Sequence, residues 1–107
     1  MSRIPVPKAI ICGSHVYKVL LNAKKTAGLQ DRDNRGEVNH RTQTVAINGG
    51  CPDSQKTEAL IHEAIHVADY VFRSGEGLKE TQVACLAEGL AQILAGWGIE
   101  IDWPKCQ

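Results

Sequence analysis

The chain has 107 residues, 43% of them hydrophobic and 22% charged, which suits a single globular domain across residues 1–107 with a modest core. Twelve basic and twelve acidic residues cancel, so no general electrostatic pull draws it to nucleic acid or to an anionic lipid surface. No apolar run approaches the ~20 residues that cross a bilayer, and Pro5 and Pro7 interrupt the start of the chain where an export signal needs an unbroken apolar segment, so a cytoplasmic protein without nucleic-acid or membrane partners is expected.

Residues 9–12 and 15–21, split by Gly13-Ser14, are rich in β-branched and aromatic side chains and predict one bent strand or two short ones. Residues 22–36 are polar, with Gly28 and a run of Asp and Asn that favours turns; a short helical turn is expected from Lys24 to Leu29. Residues 37–39 and 44–48 predict two further strands joined tightly through His40-Arg41-Thr42. Breakers and cap formers across residues 48–54 place a helix start at Asp53 or Ser54, and the helix runs to about Phe72, closed by Ser74-Gly75-Glu76-Gly77. A second helix over residues 79–95 carries Val83, Ala87, Leu90, Ala91 and Leu94 on one stripe and stops at Gly96-Trp97-Gly98. The tail, with Trp103-Pro104, is short. The expected class is therefore α+β: a small, largely antiparallel sheet packed on two main helices.

Cys12, Cys51, Cys85 and Cys106 are scattered without a close pair, so free, partly buried thiols are expected rather than disulfides or a four-cysteine zinc site.

The first helix contains His62-Glu63-Ala64-Ile65-His66. Imidazoles four positions apart stand one turn above each other and reach the same point, while the intervening Glu63 is turned aside and stays free for proton transfer. Two histidines hold zinc loosely, and a catalytic site normally adds a third protein ligand and keeps a fourth position open. Glu80 lies near the middle of the apolar stripe of the second helix, within about 60° of Val83, Ala84, Ala87, Ala91 and Leu94, and so faces the core. A carboxylate buried there is costly unless a cation offsets it, although a place in the first helical turn also suits a plain dipole-stabilising Glu. Glu88, about 80° off the stripe, is the alternative third ligand, and Glu76 in the connecting loop ranks below it. Asp69 shares the histidine face, but it is about 10 Å from His62 along the axis, too far to share an ion, so an orienting bond to His66 or a salt bridge is expected instead.

The motif with its flanks, Thr57-Glu58-Ala59-Leu60-Ile61 before it and Val67-Ala68-Asp69 after it, together with the run from Leu78 to Leu90, resembles the minimal gluzincins of phages and bacteria, relatives of the ImmA/IrrE and SprT-like zinc metallopeptidases. A Gly13-to-Tyr17 entry strand and the strand ending Val45-Ala46-Ile47 extend the resemblance over most of the chain. It implies a zincin-like minimal fold, one Zn2+ per chain, and a third ligand from the following helix at the position of Glu80. The short connection from His66 to Glu80 leaves no room for the substrate subdomain of larger thermolysin-like enzymes.

The function expected is hydrolysis of a peptide or protein substrate, with Glu63 as general base and then general acid. The alternative is a catalytically silent zinc-binding module of peptidase fold that binds a partner protein. Tyr17, His40, Arg41 and Tyr70 are candidates for stabilising an oxyanion. The strand near residues 44–48 is expected at the sheet edge, where it could pair with an extended peptide. Cys51, just before the motif helix, is a candidate thiolate plug for the ion.

Overall fold

A computed structural model describes residues 2–21, 35–73 and 75–104. The elements in chain order are β1 (Ser2–Pro5), β2 (Ala9–Cys12), β3 (His15–Leu20), β4 (Gly36–Asn39), β5 (Thr44–Ile47), α1 (Asp53–Phe72), α2 (Glu80–Gly96) and β6 (Ile99–Asp102). They form a small α+β domain with two helices packed on a mixed, mostly antiparallel sheet. The helical turn expected from Lys24 to Leu29 lies outside the described residues, as does Cys106.

The bent segment after Pro7 resolves into a β2–β3 hairpin, with Cys12 opposite His15. Gly13 takes φ +63° at the first turn position while Ser14 keeps a negative φ, the backbone pattern of a type II′ turn that only glycine enters cheaply. The β4–β5 hairpin turns through residues 40–43, where the Asn39 side-chain oxygen accepts from the backbone N–H groups of Arg41 and Thr42 at 3.0 and 3.1 Å. The four strands run in the order β2-β3-β5-β4, with the central β3–β5 pair parallel.

That order corrects one expectation. β5 is an interior strand, and among the described residues the outer strand on its side is β4. The composition of β5 is consistent with its position: Val45 and Ile47 are completely buried, as an interior strand beneath a helix requires.

β1 and β6 were not foreseen as strands. They pair in parallel, Ser2 with Ile99 through Pro5 with Asp102. β1 carries no apolar alternation, since all its side chains face solvent, and β6 alternates over Ile99-Glu100-Ile101-Asp102 but is only four residues long. Backbone bonds between distant parts of the chain hold them, and Arg3 lies 3.7 Å from both Glu100 and Asp102.

α1 crosses the sheet against β2, β4 and β5, and α2 packs on α1 and reaches β6. Lys56, Ala59, Leu60, Glu63 and Val67 form the buried stripe of α1, at the spacing of one helical face. They meet Tyr17, Val45, Ile47 and Trp103 in the core. Trp103 closes its lower end: its indole N–H donates to Thr57 Oγ1 at 2.8 Å, and Lys56 Nζ lies 5.3 Å from the ring centroid. Asp53 opens α1 with no side-chain cap; its carboxylate instead lies 3.1 Å from Lys56 Nζ.

No described helix is long and apolar enough to cross a membrane. Cys12, Cys51 and Cys85 are free thiols.

Candidate metal centre

The centre lies where α1, the start of α2 and the outer strand β4 meet. His62 and His66 project from α1 one turn apart, with ring centroids separated by 4.9 Å and Nε2 atoms by 3.2 Å. Glu80, the first residue of α2, brings Oε1 to 2.6 Å from His62 Nε2 and Oε2 to 3.0 Å from His66 Nε2. One ligand atom from each residue lies within 4.8 Å of the others, so this group could hold a metal ion. Two imidazole nitrogens and a carboxylate oxygen are zinc-type donors, and the separations resemble the ~3.3 Å between neighbouring ligands at ~2.0 Å from a tetrahedral ion. Without a cation each imidazole can donate an Nε2–H to one Glu80 oxygen, but the 3.2 Å approach of the two Nε2 atoms then sets one N–H against the other; a cation in place of those protons suits all three donors.

Glu80 reaches this point from the solvent side, with 69% of its side chain exposed, whereas those of His62 and His66 are 20% and 22% exposed. The direction read from the helical wheel agrees with its position. The argument from buried charge does not, because the first turn of α2 projects beyond the packed part of the helix pair.

Asp69 does not orient His66. Its carboxylate accepts from the Leu78 backbone N–H at 3.2 Å and pairs with Arg73, also at 3.2 Å. The Arg73 guanidinium in turn lies flat against Gly77, where an added Cβ would come within 2.5 Å of it. Asp69 and Arg73 thus pin the loop that delivers Glu80. In the same segment the Lys79 N–H donates to Gln82 Oε1 at 2.8 Å, fixing the first turn of α2.

Glu88 and Glu76 are exposed and do not join the group. Glu88 follows Glu80 by two turns of α2, about 12 Å along its axis. Cys51 does not join it either: it sits in the turn before α1, and His62 is a further ~13 Å along that helix from Asp53.

Glu63 lies on the buried stripe of α1, lines the same cavity as His62 and Glu80, and is 6% exposed. Burial first, then the charges of Glu80 and Glu37, push its pKa up from 4.5 to about 7. Gly36 of β4 makes room for it, because a Cβ there would lie 3.1 Å from the Ala46 carbonyl oxygen and 3.4 Å from Glu63 Cγ.

Behind His66 stands a ring assembly. His40 stacks on Tyr70 at 3.9 Å with an interplanar angle of 10°, and the Tyr17 hydroxyl lies 2.9 Å from His40 Nδ1. Burial, then the charges of His66 and Arg73, lower the His40 pKa, while burial raises that of Tyr17. Both shifts favour a neutral imidazole accepting from a protonated phenol, which leaves the His40 Nε2–H as a donor. Arg41 is exposed in the hairpin turn.

A cavity of about 300 Å³ opens beside the group, lined by Arg35, Gly36, Glu58, Ala59, His62, Glu63 and Glu80. Arg35 and Glu58, 3.8 Å apart, give it a charged wall that motif reading missed. Glu58 was detectable, since it precedes His62 by one helical turn and shares its face; Arg35, in a polar stretch, carried no signal. No family model, curated protein or solved structure matches this chain.

Proposed function

We propose that this chain is a zinc-dependent peptidase of the minimal gluzincin kind, in which His62, His66 and Glu80 hold one Zn2+ and Glu63 moves the proton. The observation that carries the reading is the convergence of these three donors within 4.8 Å beside a buried carboxylate whose pKa lies near 7. Bound zinc would supply a Lewis acid that polarises a scissile carbonyl and makes water acidic enough to ionise near neutral pH.

Glu63 accepts the proton of the attacking water and returns it to the leaving amine. The pKa of about 7 belongs to the metal-free centre, and a divalent cation beside Glu63 would favour its ionised form, the one that accepts the proton. β4 is the outer strand of the sheet among the described residues and lies beside Glu63, so its outward backbone groups can align an extended peptide by strand addition. The cavity walled by Arg35 and Glu58 receives a substrate side chain. His40 is assigned as donor to the developing oxyanion, with Tyr17 fixing its tautomer and Tyr70 its ring plane.

The test couples metal analysis of the isolated protein with hydrolysis of a diverse peptide library. One zinc per chain, cleavage by the native protein, and loss of cleavage with retained zinc in Glu63→Gln are expected. Absence of zinc from both refutes the metal centre. Bound zinc without cleavage, indifferent to Glu63→Gln, refutes the enzyme reading and leaves a zinc-binding module that engages a partner protein.

A further inference from the structure

The outer face of α2 is apolar and uncovered. Leu86, Leu90, Ile93 and Trp97 are 48%, 41%, 48% and 72% exposed, and their spacing of four, three and four residues places them on one stripe. Only Val83 and Ala87 of this helix are buried in the single chain. A helix apolar on so much of its circumference belongs inside a larger structure. We infer that α2 pairs with α2 of a second copy of this chain, antiparallel and about a two-fold axis, through Leu86, Leu90, Ile93 and Trp97.

Three observations favour a second copy over a different protein. The spacing of the stripe reads the same in both directions, as a two-fold contact requires: Leu86 of one copy faces Trp97 of the other, and Leu90 faces Ile93. This is also the alternation of a coiled-coil seam. The charged residues of α2, Glu80 and Glu88, are both off the stripe, and the chain has a formal net charge of zero, so like copies do not repel. The area is also adequate. The four side chains leave roughly 400–500 Å² exposed per copy, within the ~300–600 Å² of the largest apolar patch on a typical monomer, a patch that is often functional. Two such patches with a modest rim reach the ~1,200 Å² at which specific interfaces begin.

Gly89 fits the same picture. It sits in the middle of α2, where glycine is a poor helix former, yet an added Cβ would meet nothing within 4 Å in the single chain. Close approach of a second helix backbone gives it a role that no intramolecular contact does.

The pairing is independent of metal binding and of peptidase activity. The test is sedimentation velocity from about 1 µM to about 500 µM, with tryptophan emission followed over the same range, which brackets micromolar dissociation constants; a concentration-dependent shift from monomer to dimer within it is expected. Dilution should shift the Trp97 emission to the red, against a constant background from buried Trp103. Leu90→Glu should weaken the dimer at least about 100-fold. Gly89→Arg should do the same while leaving the single chain folded, since its side chain enters open space. A chain that stays monomeric throughout overturns the inference, whether Trp97 is exposed or shielded by another part of the same chain. So does a dimer that survives both substitutions, or a monomer whose Trp97 is shielded only on adding phosphatidylcholine vesicles or another protein.

Discussion

Glu63→Gln should make the metal-free protein more stable at neutral pH while leaving its stability in acid almost unchanged. The native state holds Glu63 with a pKa of about 7 against 4.5 for an ordinary carboxyl. Below pH 4.5 the group is protonated in both folded and unfolded chains, so it imposes no charge penalty. Between 4.5 and about 7 the unfolded chain ionises first, and stability falls as pH rises. Above about 7 the loss levels off at ~3 kcal/mol, each tenfold change in acidity contributing ~1.4 kcal/mol. Glutamine keeps the shape and never ionises, so the variant escapes this loss. For a domain of this size, 3 kcal/mol corresponds to roughly 10–20 °C in melting temperature. The measurement is urea unfolding of both proteins in excess chelator from pH 4 to about pH 8. Histidine titrations common to the two cancel in the difference. A difference that stays flat across the range, or that grows toward acid, refutes the placement of Glu63 in a desolvated pocket.

Glu80→Gln should reduce zinc affinity about 100-fold by chelator competition, with the helical content of the metal-free protein unchanged. Asp69→Ala should release the Leu78 N–H and the Arg73 guanidinium and lower zinc affinity about tenfold, although residue 69 touches no ligand; an affinity equal to that of the native protein would show that the loop needs no such anchor. Trp103→Phe should cost about 1 kcal/mol for the lost Thr57 hydrogen bond, whereas Trp103→Ala should cost about 3–5 kcal/mol in chemical denaturation, because it also empties the lower end of the core.

The legible parts of the chain were those whose information is local. The motif helix announces itself through helical spacing and the breakers that precede it, and α1 runs from Asp53 to Phe72 as read. Gly98 stops the second helix in a left-handed conformation, as its place after the apolar stripe implied. The meeting of Glu80 with His62 and His66 was reachable because helix geometry fixes directions over short spans. What escaped depends on distant pairing. Nothing in Ser2–Pro5, exposed along its whole length, points to Ile99–Asp102, whose short alternation alone does not name a partner strand. Strand order is equally non-local, which is why β5 was taken for an edge. Asp69 was placed on the correct face, but its partner is a loop N–H whose position only the folded connection decides.

The two imidazoles of the centre share one rigid rod, whereas the carboxylate arrives from a second rod held by a short pinned tether. This division implies an order of events for a cation: capture by the bidentate pair on α1, then closure by Glu80 as a latch at high effective concentration. Release of a bound cation would run in reverse, beginning at the most solvent-accessible donor. The exchange rate of the ion should therefore follow the motions of the tether and not the stability of the domain.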